Sequence, residues 1–207
     1  MQSTAIHFTT LRCGLGWLLV ARTRRGVCNL RFGDTPEAVV DGLRQEFPWA
    51  ELRENGAGLA SCVAALERYL EGRSQRLELP LDVRGSQFQR RVWDAIRAIP
   101  YGETRSYAQL AGAIGRPTAV RAVAGACGAN PVALAVPCHR VVSSSGGSGG
   151  YRWGVKRKTS LLALERKASE DSLSASLRGW SAPPSSSRSK RAAAPPRSAC
   201  STRPSSA

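Results

Sequence analysis

Histidine is nearly missing from this chain of 207 residues, which has only His7 and His139, and none of its cysteines form a Cys-x-x-Cys pair. Tetrahedral zinc sites draw on Cys and His at short spacing, so no metal is expected. Long apolar runs are absent too. Nothing approaches the roughly 18 to 20 consecutive apolar residues of a membrane span, and the first residues show no basic stretch followed by an apolar one, as a secretory signal would. The expected location is the cytoplasm, or the nucleus of a eukaryotic cell. In that setting the six scattered cysteines, Cys13, Cys28, Cys62, Cys127, Cys138 and Cys200, are expected to stay thiols. Most such thiols are small buried apolar groups.

Acidic side chains are the other scarcity, 15 against 30 Lys plus Arg, a formal charge of +15. With 42% apolar residues, the chain is nonetheless no disordered polycation. The imbalance is local. Residues 1–84 carry 11 basic and 10 acidic side chains, residues 85–167 carry 13 and 3, and residues 168–207 carry 6 and 2. A basic excess concentrated in about 80 residues is the footprint of a nucleic-acid partner, because neutralised phosphates release counterions. Basic domains that bind acidic membranes or merely stay soluble share it.

Residues 4–32 read as short strands broken by Gly14, Gly16 and Gly26, a small antiparallel meander. Asp34-Thr35-Pro36-Glu37 then gives a cap, an N1-type proline and a first-turn acid for a helix with Val39, Val40, Leu43 and Phe47 at helical spacing. A second helix spans Leu59 to Leu70, and residues 77–83 alternate like an edge strand. Residues 1–84 are therefore expected to be an α+β domain. From Phe88 the character changes: an amphipathic helix runs to Ile99, a short one from Ser106 to Ile114, and another from Thr118 to Cys127, the last two joined by Gly115-Arg116-Pro117. This is either a helix-turn-helix or an ordinary helical hairpin. In the last helix Ala119, Ala122, Ala124, Gly125 and Ala126 leave little bulk around Arg121. Such a face admits close approach of a ligand, or of another helix. Residues 132–137 are apolar and extended, a Ser/Gly loop covers 143–150, and a final helix reaches about Lys167. Residues 168–207, with 13 Ser, 5 Pro and 8 Ala, read as a disordered tail. Its basic residues either add weak nonspecific DNA affinity or do nothing.

Chemistry concentrates at Pro137-Cys138-His139-Arg140-Val141. A free thiol is only a few per cent thiolate at neutral pH, so a nucleophilic cysteine needs a base or a cation nearby. His139 and Arg140 supply one of each. Neighbours in an extended chain point to opposite faces, so direct contact requires a turn or a bridging water.

The segment from Phe88 to Glu165 resembles the O6-alkylguanine-DNA alkyltransferases. The matches run through Trp93, residues 99–104, Ser106-Tyr107, Leu110-Ala111, Arg121-Ala122-Val123, Asn130-Pro131, residues 137–141 and Gly150-Tyr151. Residues 151–155 with Arg157-Lys158 resemble in particular the alkyltransferase half of the Ada-type regulators. The resemblance implies a ribonuclease H-like α+β N-terminal domain (1–84), with a small antiparallel sheet and helices. It also implies a mainly α, winged helix-turn-helix-like catalytic domain (85–167), followed by the tail (168–207). It implies single-turnover DNA repair: Cys138 takes the alkyl group from O6-alkylguanine, and with it O4-methylthymine, in double-stranded DNA. His139 would accept the thiol proton through a water, Glu165 would orient His139, and Tyr107 would protonate the leaving base. Arg121 would fill the place of the flipped nucleotide, with Ala119, Ala122 and Ala124 letting the helix into the minor groove. Asn130 would brace the active-site segment, backbone groups of Cys138, Val141 and Arg152 would read the guanine edge, and Tyr151 would wall the pocket. No cofactor, no metal, no membrane and a monomer are implied.

Without the resemblance, Glu165 reads as a surface ion pair and Tyr107 as core. A lesion-sensing module without chemistry would replace the acceptor cysteine, which this chain has. A full Ada-type regulator would add a zinc domain with clustered cysteines, so phosphotriester repair and transcriptional activation are not expected.

Overall fold

The computed structural model describes residues 5–144 and 149–178, with side chains as far as Asp171. Strands β1 (Ala5–Cys13), β2 (Gly16–Arg22) and β3 (Val27–Gly33) form the meander, α1 (Pro36–Glu46) crosses the sheet, and β4 (Glu51–Glu54) returns before α2 (Gly56–Leu70). The order is β3-β2-β1-β4, and β4 pairs with β1 in parallel. The sheet is thus mixed rather than wholly antiparallel. The α1 crossover carries the chain to the far edge, where Glu-Leu-Arg-Glu, mostly exposed, has no strand pattern of its own.

Alternation in β2 explains how both faces are covered. Leu18 and Val20 join Leu11, Leu30, Phe32 and Leu66 of α2 on one side, while Leu19 and Ala21 join Ile6, Phe8, Val39 and Leu43 on the α1 side. The first of these cores continues without a break into the second half of the chain, through Val92, Trp93, Ile96, Val123 and Leu161. That half contains α3 (Gln87–Arg97), β5 (Arg105–Ser106), α4 (Tyr107–Ala113), α5 (Val120–Gly128), a 3₁₀ turn at Cys138–Arg140, β6 (Val141–Val142) and α6 (Val155–Arg178). Ser86 with Gln89, and Ser106 with Gln109, close capping boxes at the starts of α3 and α4. Trp93 of α3 donates its indole N–H to the Ala126 carbonyl (2.9 Å), fixing α5 against α3.

The outer edge of β3 positions the site. An open strand edge demands partners, and here two irregular segments supply them. Leu30 N–H donates to Pro131 O (2.9 Å) and Ala133 N–H to Leu30 O (2.7 Å), while Val27 and Asp82 engage likewise around Leu81. The strand expected over 77–83 is reduced to that single bridge, since Pro80 has no N–H to give. Beyond Ala133, Leu134 adopts φ 65°, a left-handed conformation rare outside glycine, which bends the chain into the Cys138 turn. At the far end, α6 runs past Lys167 to Arg178, because nothing before Gly179 breaks a helix. Residues 168–178, read from sequence as the start of the tail, thus fall within α6, and the rest of that tail lies outside the described residues. Among the described residues no helix is long and apolar enough to cross a membrane.

Candidate active site

Cys138 opens the 3₁₀ turn and is buried, 5% exposed. The turn separates the side chains of its three residues. The Cys138 sulfur accepts from the Asn130 amide (3.2 Å), and that amide also donates to Val136 O (2.8 Å), while Asn130 Oδ1 accepts from Val132 N–H (2.9 Å). Fully buried Asn130 thus ties the end of α5 to both ends of the 132–138 segment. Burial pushes the Cys138 thiol up to about 11, against the pull of the Asn130 hydrogen bond and the charge of Lys158.

His139 points the other way, and no solvent reaches it. Its Nε2 lies 2.6 Å from Glu165 Oε1. The carboxylate fixes Nε2 as the N–H donor, leaving Nδ1 as an acceptor, and among the described residues Nδ1 has no hydrogen-bond partner. Burial holds the imidazole below its ordinary pKa despite the Glu165 hydrogen bond. Burial would raise Glu165, but His139 and Arg140 outweigh it and bring the carboxyl down to about 2. Arg140 does not face the thiol. Its Nε donates to Glu165 Oε2 (2.8 Å), Nη1 to Ile99 O (2.7 Å) and Nη2 to Tyr69 Oη (3.1 Å). The cation beside the thiol is instead Lys158, a wholly buried ammonium that donates to the carbonyls of Val141 (2.5 Å) and Gly150 (3.3 Å). It thereby staples both stems of the Ser/Gly loop. Burial lowers the Lys158 pKa, and the two nearby thiols, Cys138 and Cys127, oppose that shift.

A pocket of about 310 Å³ opens onto Cys138, lined by Tyr107, Ala124, Cys127, Gly150, Tyr151 and Arg152 among others. Tyr107 begins α4, and Gly149 packs so closely on its hydroxyl that a Cβ there would lie 3.1 Å from it. Val141 is buried in β6, paired with Arg105 beside the start of α4. Arg152 reaches Asn130 O (3.2 Å) and Glu46 of α1 (2.9 Å). On α5, Val123, Ala126 and Cys127 face inward; Ala124 turns to the pocket, while Arg121 and Ala122 are exposed and Ala119 caps the helix start. Among the described residues Arg121 has no hydrogen-bond or ion-pair partner. The structure therefore places Cys138, Tyr107, Tyr151 and Arg152 in the lining of one cavity; Asn130 and Val141 are hydrogen-bonded to Cys138, His139 follows it and holds Glu165, and Arg121 lies outside on the same domain.

The sequence reading assigns no site role to Lys158, Tyr69 or Cys127. The first was legible: with Glu165 on the inner face of a helix, positions seven and four residues earlier share that face, and Lys158 and Leu161 are both buried. No sequence signal marked Tyr69, which reads as one more core residue of α2.

A buried thiol lining a small pocket, next to a histidine paired with a buried carboxylate and on the same domain as a helix with an exposed arginine, defines a protein of two joined halves with one candidate cysteine site. Residues 6–83 match the ribonuclease-like domain of 6-O-methylguanine DNA methyltransferase, and residues 87–167 match its DNA binding domain. A methylated-DNA–protein-cysteine methyltransferase of Mycolicibacterium paratuberculosis is 45% identical over 169 residues, covering 81% of this chain and 97% of the relative. The bifunctional transcriptional activator/DNA repair enzyme Ada of Escherichia coli K12 is 46% identical over 169 residues, 82% of this chain; the chain spans only about half (48%) of that relative. Mycobacterium tuberculosis OGT, solved in complex with DNA, superposes with a TM-score of 0.68 at 38% identity, over 78% of this chain and 94% of that one. The chain belongs to the methylated-DNA–protein-cysteine methyltransferase family.

Proposed function

We propose that the protein repairs DNA by moving the alkyl group of O6-alkylguanine, and of O4-methylthymine, onto Cys138, once per molecule. The observation that carries this reading is the Asn130-bound thiol of Cys138 lining the pocket, followed in the same turn by His139, whose Nε2 is held by Glu165. The transfer is an in-line displacement: a sulfur–carbon bond forms as the carbon–O6 bond breaks. The thiol proton passes through a water to His139 Nδ1, the unpartnered acceptor, and Glu165 holds the resulting imidazolium in place. Lys158 and the Asn130 amide stabilise the thiolate in transit, and the Tyr107 hydroxyl gives a proton to the departing guanine. The product thioether has no route back to a thiol, so each molecule acts once and needs no cofactor.

A base in a duplex is out of reach of a buried sulfur and must be flipped, at a cost of a few kcal/mol. Arg121, exposed on α5 and without a partner among the described residues, supplies the side chain that takes the vacated place, and Ala119 and Ala122 let the helix approach. Backbone groups of Cys138, Val141 and Arg152 read the guanine edge, with Tyr151 and Ala124 as walls. In domain terms, residues 1–84 form a ribonuclease H-like scaffold, 85–167 a winged helix-turn-helix-like DNA-binding domain, and 168–207 an extension; the matches at 6–83 and 87–167 support the first division.

Incubation with duplex DNA containing O6-methylguanine is expected to add one methyl mass to the peptide that contains Cys138. Full transfer by Cys138→Ala would sink the assignment.

A further inference from the structure

The near-neutral N-terminal domain reaches the rear of the site through one side chain. Tyr69 lies in the last turn of α2, 1% exposed, and its hydroxyl stands 2.5 Å from Glu165 Oε1. The direction of that hydrogen bond is forced. Arg140 Nη2 donates to the Tyr69 oxygen (3.1 Å), and a guanidinium accepts nothing, so the phenol proton is directed at the carboxylate. Glu165 Oε1 is the same oxygen that receives His139 Nε2–H. Donors on both flanks of one oxygen, with Arg140 Nε and Gly102 N–H on the other, prevent the carboxylate from rotating away from the imidazole. The Tyr69 ring is itself held edge-on against Tyr101 (5.6 Å between centroids), over which Arg140 lies.

We propose that Tyr69 is a positioning residue for alkyl transfer: its hydroxyl aims Glu165 at His139, so the N-terminal domain supplies a working part of the site as well as a scaffold. The proposal rests on the alkyl-transfer reading only for its rate consequences; its effect on His139 stands apart. Withdrawing a donor from Glu165 leaves that carboxylate freer to attract a proton onto His139, so the imidazole becomes more basic as its aim is loosened. Arg140, Glu165 and Lys158 are the charged groups that act on His139, and the substitution leaves all three in place.

The test is Tyr69→Phe, which keeps the ring and removes one oxygen. Single-turnover transfer is expected to fall about three- to tenfold at its plateau, the range that the loss of one buried hydrogen bond gives. Its acid limb is expected to move to higher pH. Nitrogen NMR of the imidazole is expected to show His139 titrating at higher pH. Binding to undamaged duplex should not change. If the variant fails to fold, fluorinated tyrosine at position 69 keeps the hydroxyl and strengthens its donation, and the His139 titration should then move to lower pH. A wild-type protein that takes no methyl would overturn the alkyl-transfer reading while leaving the His139 shifts to be measured. An unchanged His139 titration in folded protein, or a uniform loss of rate at every pH, would overturn the role of Tyr69.

Discussion

Glu165 is the most heavily hydrogen-bonded acceptor among the described residues of this site. Five donors converge on it: Tyr69 O–H, His139 Nε2–H, two N–H groups of Arg140 and Gly102 N–H. Its carboxyl sits at about 2 when folded, below the ordinary value near 4.3, so the stability it contributes is present above that ordinary value and is lost as the pH falls towards 2. The contribution is on the order of 3 kcal/mol. Glu165→Gln is expected to remove this acid sensitivity and, by stranding buried Arg140, to cost about 3 to 5 kcal/mol at neutral pH. Urea unfolding of both proteins between pH 3 and pH 7 measures both effects. Lys158 makes a second case. Its ammonium opposes the upward push of burial on Cys138, so Lys158→Met should raise the thiol further and slow transfer at neutral pH. The deficit should shrink as the pH rises, which single-turnover rates across pH would detect. If the rate were lowered equally at every pH, Lys158 would act only by stapling the loop.

At the scale of elements, α5 divides its work by face, and the division can be tested. Arg121 faces solvent without a partner, so Arg121→Ala should leave the melting temperature unchanged. It should slow transfer from a lesion in duplex DNA by about a hundredfold if the arginine offsets a few kcal/mol of flipping. Reaction with the free alkylated base should be spared, since no flipping is needed. Ala124→Leu should do the reverse, filling the pocket and blocking both substrates while duplex binding persists. The roles of these faces were partly visible in sequence. The run of small residues around Arg121 marked the open side of α5, although Ala126, counted in that run, turns inward with Val123 and Cys127. The strands β1–β3 were equally plain, because Leu18-Leu19-Val20-Ala21 is apolar on both faces. What stayed hidden was set by distant partners. β4 has one apolar residue in four and exists only because β1 offers an edge. Residues 77–83 alternate well but meet only one bridge at Val27. Arg140 follows His139 in sequence, yet the 3₁₀ turn sends it towards Ile99 and Glu165, leaving Lys158, twenty residues away, as the cation near the thiol.

For the molecule as a whole, the two halves are joined by one continuous core and by the ion pairs Glu46–Arg152, which ends at the pocket, and Asp34–Arg157, which does not. Glu46 on α1 accepts from both Arg31 and Arg152, and Arg157 reaches Asp34 and the Leu15 carbonyl. Charge, by contrast, is divided between them, with the excess in residues 85–167. If that segment supplies the DNA contacts, each neutralised phosphate contributes roughly 0.9 to the slope of log affinity against log salt. Removing residues 179–207, which carry five basic and no acidic side chains, should then leave the slope and the affinity for undamaged duplex nearly unchanged. Truncation after Lys167 is a different operation. It cuts into α6, whose Ala168 packs near Gly72 and whose Ser169 packs on Gly102, the residue that donates its N–H to Glu165. The shorter protein should melt several degrees lower and transfer more slowly, with its duplex affinity retained. Thermal unfolding and salt titrations of the two truncations separate these effects. A fall in the salt slope by two or more on losing 179–207 would make that segment part of the DNA-binding surface, and equal melting temperatures for the two truncations would deny the end of α6 any part in bracing Glu165.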